Sequence, residues 1–191
     1  MITASEIVNN CDMSKVKTVL EIGTGTGDLA EFILKNLREN GNVNPKYIGF
    51  DVFEDYGPHI PGCDNIDEHQ KVYMKDVLIK LRSLTSDVEL FKGQSIDTVA
   101  AWANSNETLI DLVIINGSSL YQNIMKDFFL TNPFYKHGTV IFFDYSDGES
   151  KELIDTLDWY DPKEISPSTT CITWKKEGTG PIEFISEPGP I

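Results

Sequence analysis

Thr18-Val19-Leu20-Glu21-Ile22-Gly23-Thr24-Gly25-Thr26-Gly27 is the stretch that decides the fold. Its first five residues form a short apolar run, and such a run ending in a glycine cluster reads as a buried parallel strand. Glycines at alternate positions let the backbone turn tightly and approach a ligand, while the next helix offers free N–H groups. That helix is expected from Asp28 to about Asn40, with Leu29, Phe32, Ile33 and Leu37 on one face and Gly41-Asn42 as its stop. The pattern is GxGxG, not the GxGxxG of dinucleotide sites. Glu21 ahead of it suits a cationic ligand better than a pyrophosphate.

Strand–helix alternation continues outward. Tyr47-Ile48-Gly49-Phe50 predicts a second strand ending at Asp51, followed by a loop rich in Pro, Gly and Asp from Glu54 to about Asn65. Asp67 is the expected N-cap of a helix with Val72, Val77, Leu78, Leu81 and Leu84 on its apolar stripe. Val88 to Phe91 is a third strand, and Ser95 caps a helix to about Ala103. Leu109 to Ile115 is the most apolar strand and belongs at the sheet centre; a helix from about Ser119 to Leu130 follows, with Pro133 beyond it. Thr139 to Phe143 is a fifth strand and Glu149 to Leu157 a short helix. Asp158 to Ile165 and Thr170 to Lys175 have only a turn between them, so they pair as an antiparallel hairpin. The expected fold is α/β: a three-layer Rossmann-like sandwich around a mostly parallel seven-stranded sheet with a C-terminal antiparallel hairpin.

The 191 residues make one domain, 1–191, with an N-terminal helix region at 1–15 and a loosely held tail at 178–191. Thirty acids against sixteen bases give a net charge of −14, which repels phosphate backbones and anionic lipid, so nucleic-acid and membrane partners are not expected. Cys11, Cys63 and Cys171 are widely spaced and form no metal-ligand pattern, which reads as reduced thiols in a cytoplasmic protein. Met1 to Glu6 has neither a basic nor an apolar segment of a secretory signal, and no apolar run is long enough to span a bilayer.

Ligands of such sheets bind outside the carboxyl ends of the strands. Asp51, at the end of the second strand, can accept both hydrogens of a ribose diol, and Val52 and Phe53 beside it can pack on an adenine face. In Lys92-Gly93-Gln94-Ser95 a polar side chain can meet an adenine amino group, although Ser95 serves equally as a helix cap. His59 reads as surface, His69 and His137 as structural or solvated, and Trp102, Trp159 and Trp174 as packing. The acidic loop after the second strand reads as a lid that favours a neutral or cationic substrate over a phosphorylated one.

Glu-x-Gly-x-Gly-x-Gly, the strand-end Asp51 and the polar end of the third strand together resemble the class I S-adenosylmethionine-dependent methyltransferases. Val16 to Lys176 fits their plan, hairpin included. The resemblance implies S-adenosylmethionine held by Glu21, Gly23, Thr24, Gly25, Gly27, Asp51, Val52, Phe53, Gln94, Ser95 and Asn116. Asp111 to Tyr121 and Gly138 to Tyr145 are similar, more narrowly, to the fourth and fifth strands of macrocin-type small-molecule O-methyltransferases. In that family an Asp at the fourth strand and an Asp pair at the fifth hold a divalent metal, and a His is a candidate base. Here Asn116, Ser119 and Tyr145 stand at three of those positions and only Asp144 keeps its acid, so the metal is not carried over. Asp144, Tyr145 and Asn116 are the candidate catalytic residues, Asp144 or Tyr145 as proton acceptor for a hydroxyl substrate. The expected activity is methyl transfer to a small molecule, with an oxygen acceptor by resemblance. The alternatives are a cofactor binder without catalysis and another Rossmann-like nucleotide-dependent enzyme. The sequence leaves the oligomeric state open.

Overall fold

Seven strands lie in the order β3-β2-β1-β4-β5-β7-β6 in a computed structural model that describes residues 2–55, 71–118, 120–144, 163–166 and 169–174. In chain order the elements are α1 (Ala4–Asn10), β1 (Thr18–Ile22), α2 (Asp28–Glu39), β2 (Lys46–Asp51), α3 (Met74–Arg82), β3 (Val88–Lys92), α4 (Ser95–Ala103), β4 (Ile110–Ile115), α5 (Tyr121–Thr131), β5 (Tyr135–Asp144), β6 (Lys163–Ser166) and β7 (Thr169–Thr173). The first five strands pair in parallel, whereas β7 runs antiparallel to both β5 and β6. This is the α/β sandwich that the alternating apolar runs predict. β4 sits at the middle of the sheet with every residue buried.

Alternate residues of the strands feed two cores, one on each face of the sheet. Leu20, Ile22, Phe50 and Ile115 pack with Val99 and Trp102 of α4 and Ile124 and Phe128 of α5. Val19, Tyr47, Leu112 and Ile114 pack with Ile7 of α1, Ile33, Leu34 and Leu37 of α2 and Val77 and Leu81 of α3. At roughly 25 cal/mol per Å2 of apolar surface removed from water, burial of these side chains is the main force holding the three layers together.

Several boundaries differ from the sequence reading, each for a physical reason. The buried stripe of α2 is Ala30, Ile33, Leu34 and Leu37, while Phe32 is 41% exposed. α4 takes Gln94, not Ser95, as its N-cap. α3 and α5 start at Met74 and Tyr121 after Tyr73 and Leu120, neither of which offers a capping side chain. β5 begins at Tyr135, four residues ahead of the expected start, because a register shift opposite Ile110 and Leu112 absorbs Lys136, His137 and Gly138. Asp67, Ser119, Tyr145, His59, His69, Cys63, Trp159, the helix expected at Glu149 to Leu157, the loop at 56–65 and the tail at 178–191 lie outside the described residues. Among the described residues no helix is long and apolar enough to cross a membrane.

Candidate functional site

The chain runs outward from β1 to β2 and β3, then returns to place β4 on the other side of β1. That reversal leaves a crevice at the carboxyl ends of β1 and β4, where doubly wound sheets bind ligands. The glycine loop fills its rim. Gly23 and Thr24 donate backbone N–H bonds to the carbonyl of Phe50 (2.8 and 3.3 Å), which fastens the loop to β2. Gly23 has φ +90°, and a Cβ there would lie 2.5 Å from the backbone oxygen of Asn116, so the loop after β4 admits only glycine. Gly25 differs: its φ is +52° and a Cβ would meet nothing within 4 Å. Open space above a bare backbone is what a close-approaching ligand needs. Gly27 is the N-cap of α2, and Lys80 of α3 braces the same turn by donating to the carbonyl of Thr26 at 3.0 Å and pairing with Asp28 at 2.7 Å.

Asp51 anchors the loop from β2. Its Oδ2 accepts the N–H of Gly25 at 2.7 Å and its Oδ1 accepts that of Phe53 at 2.8 Å. Burial raises its carboxyl above the ordinary value, while the backbone N–H groups of Gly25, Phe53 and Val52 favour the charged form. The turn at Asp51 carries Phe53 away from any ligand. Phe53 takes φ +47° and is fully buried in the core beneath α2 and α3, so the expected packing of Phe53 on an adenine face is overturned. Val52, half-buried, stays at the crevice.

Glu21 also departs from its expected place. It is fully buried on the sheet face that carries Val19 and Tyr47, under the glycine loop, where Tyr47 Oη donates to its Oε2. Tyr47 Oη lies 3.3 Å from Thr24 Oγ1, so the three side chains form one buried chain that holds the loop from below. Burial pushes the Glu21 carboxyl up to about 8, and the nearby Asp51 adds to the rise. Sealed beneath the loop, Glu21 does not line the crevice and makes no direct contact with a ligand there. Its Oε1 has no hydrogen-bond partner.

The crevice has a volume of about 300 Å3, at the small end of the range for ligand pockets, about 300–1,000 Å3. Of the sequence-predicted residues, Gly23, Asp51, Val52, Gln94 and Ser95 line it. Thr24, Gly25 and Gly27 support its rim. Asn116 is half-buried and donates its backbone N–H to Ile22 at 2.9 Å. Because Ile115 pairs with Phe143, Asn116 and Asp144 follow side by side at the ends of β4 and β5, but neither lines the crevice. Tyr145, the third candidate catalytic residue, lies outside the described residues. Among the described residues there is no group of three or more His, Cys, Asp or Glu side chains able to hold a metal, and Asn116 with Asp144 offers a single charge.

Sequence reasoning missed one wall of the crevice. Asn123, Lys126 and Asp127 of α5 line it, with Ile96 of α4 and Leu120 before α5. Asp127 carried a readable signal: it falls on the stripe of Ile124, Phe128 and Thr131, the buried face of α5. A broader hollow of about 620 Å3 lies elsewhere, bordered by Asn9 to Asp12, Lys163, Cys171 and Thr173. It is larger but shallow, and burial raises the Cys11 and Cys171 thiols to about 12, which leaves them weak nucleophiles.

A mostly parallel sheet with a bare glycine turn, a strand-end carboxylate and a crevice at the topological switch point defines a Rossmann-like α/β domain. The chain belongs to the methyltransferase-domain family, which it matches over residues 20–145. Its fold is that of the class I methyltransferases. It is similar to the calicheamicin methyltransferase CalS11 at 16% identity, with 86% of this chain and 74% of that chain covered and a TM-score of 0.65. It is similar also to the O-methyltransferase NovP at 15% identity, covering 91% and 76% with a TM-score of 0.66. For the O-methyltransferase from Bacillus cereus in complex with SAH the figures are 16%, 84% and 76%, and 0.55. No curated protein matches the chain in sequence.

Proposed function

We propose that the protein is a cytosolic S-adenosylmethionine-dependent methyltransferase whose acceptor is a small molecule bearing an oxygen nucleophile. The observation that carries this reading is the crevice at the switch point, where Asp51 and the backbone of Gly23 meet polar Gln94 and Ser95 in a chain of the methyltransferase-domain family. The residues fit the cofactor. Gly25 leaves its face open, and each oxygen of Asp51 keeps a lone pair beyond its backbone bond, enough for a ribose diol. The cofactor supplies a methyl group already activated by a sulfonium leaving group. What remains for the chain is to hold nucleophile and methyl in line, which positioning alone does much to accelerate. For a hydroxyl acceptor, Asp144 at the end of β5 is the proton acceptor in this reading. The donor set at Asn116 and Asp144 does not call for a divalent metal. A binder without turnover is the second reading, favoured by Asn116, Ser119 and Tyr145 standing where the macrocin-type enzymes have metal and base residues.

Calorimetric titration tests the cofactor and an acceptor panel tests the chemistry. S-adenosylhomocysteine is expected to bind with a micromolar Kd, unchanged by magnesium, and NAD not to bind. NAD binding alone would favour the nicotinamide enzymes, and a large gain with magnesium would restore the metal. Turnover on hydroxyl compounds rather than amines or thiols supports the oxygen acceptor; no turnover on any class leaves the binder.

A further inference from the structure

Asp127 has no part in the motifs by which this site was read. It lies in the middle of α5, is 1% exposed, lines the crevice, and its Oδ1 has no hydrogen-bond partner. A buried polar atom without a partner costs roughly 1–3 kcal/mol, so an acceptor left in that condition at the wall of a cleft is matched to a donor brought by something that enters. The two apolar side chains at the mouth add shape to that requirement. Ile96, from the α4 side, is 42% exposed and Leu120, from the α5 side, 51% exposed, and both line the same cleft. Apolar flanks with an acceptor at the edge suit a flat heteroaromatic ring that carries an N–H group.

We propose that Asp127 selects the base of the cofactor, accepting the exocyclic amine of adenine and rejecting a purine that presents an oxygen there. The inference rests on the reading of the crevice as a nucleoside site and deepens it. Burial pushes the Asp127 carboxyl up to about 6, while the Ser95 side chain and the Lys126 ammonium favour the charged form. Above that value the group is a carboxylate, able only to accept. A carboxylate facing the O6 of hypoxanthine places two acceptors against each other, and sites built around a polar group reject the mismatched analogue far more strongly than apolar pockets do. Gln94 does not impose that choice, since an amide can donate as well as accept, and the Ser95 hydroxyl, which donates to the Asp127 carboxyl, takes its orientation from Asp127.

The test is a calorimetric titration at pH 8 of the wild-type protein and of Asp127→Asn with S-adenosylhomocysteine and S-inosylhomocysteine. The wild type is expected to prefer the adenosyl compound by about tenfold or more, the scale of one hydrogen bond to a charged group. Asp127→Asn can turn its amide to offer N–H to O6, so its preference is expected to fall by at least about tenfold while the adenosyl compound still binds. A base preference unchanged in a folded Asp127→Asn variant overturns the proposal. Should that variant not fold, Asp127→Ser takes its place with the same fall in preference expected, and a purine-riboside analogue without the exocyclic amine that binds the wild type as tightly as the adenosyl compound overturns the proposal. Failure of the wild type to bind S-adenosylhomocysteine at all is a different result, and overturns the nucleoside-site reading beneath the inference.

Discussion

An ionised carboxylate offers about four lone-pair sites, and Asp51 uses two of them on the N–H groups of Gly25 and Phe53. The same side chain therefore shapes the glycine loop and keeps the acceptors that a ribose diol needs. Asp51→Ala is expected to weaken S-adenosylhomocysteine binding by roughly 1–3 kcal/mol, on the order of tenfold to a hundredfold. Because the change also strands two backbone donors, the titration belongs well below the variant's own melting temperature, and unchanged affinity there removes Asp51 from the site. Asp51 was expected at the ligand end of the sheet from its position at the end of the second strand after the glycine loop, and it lines the crevice there. Phe53 misled because nothing in the sequence announces a non-glycine residue at φ +47°; only the bond from its N–H to Asp51 explains the turn. Asp127 was hidden by the habit of assigning helical acids to the solvated face.

Elements are joined at their far ends by Asp111, the second residue of β4. Its Oδ2 accepts the N–H groups of Lys17 and Thr18, each at 3.0 Å, and its Oδ1 pairs with the ammonium of Lys136. One side chain at 9% exposure thus ties the start of β1 to β4 and to the shifted beginning of β5. Asp111→Ala leaves both backbone donors at the amino end of β1 without their acceptor and is expected to cost about 1–3 kcal/mol. A lower urea midpoint with an unchanged slope checks it. Cofactor affinity should hold, since Asp111 lies at the opposite end of the strands from the crevice; a parallel loss of affinity would mean that the two ends are coupled. Strands β1, β2 and β4 were legible because parallel strands buried on both faces leave continuous apolar runs. The start of β5 was not, because Lys136, His137 and Gly138 break the run. Thr139 repairs it, donating to the carbonyl of Ile110 at 2.6 Å and accepting the N–H of Lys136 at 2.9 Å. The start of α3 was misplaced by taking Asp67 as its cap, whereas the helix begins after Tyr73, which has no capping side chain to give; α5 begins at Tyr121, two residues past its expected start.

For the whole molecule, burying Glu21 at the middle of the sandwich links folding to pH. The carboxyl has an ordinary value of 4.5 and rises to about 8 when folded, chiefly through burial, with Asp51 adding to the rise and Tyr47 opposing it. Between those values the folded chain holds a proton that the unfolded chain has released. Stability from this group is therefore complete below about 4.5, falls as the pH climbs, and is gone above about 8. One proton sets the greatest slope at about 1.4 kcal/mol per pH unit. Asp127, raised to about 6, contributes a fall of the same sign that ends sooner, so the upper part of the window belongs mainly to Glu21. Glu21→Gln keeps an oxygen for the Tyr47 hydroxyl and cannot titrate. Urea unfolding of both proteins from pH 5 to 8 is expected to give a steeper decline for the wild type than for Glu21→Gln, with the gap widening toward pH 8. Parallel curves would mean that Glu21 is already ionised in the fold at neutral pH. The buried chain from Tyr47 to Thr24 would then hold the glycine loop around a charge, and a cationic group in the crevice would feel it.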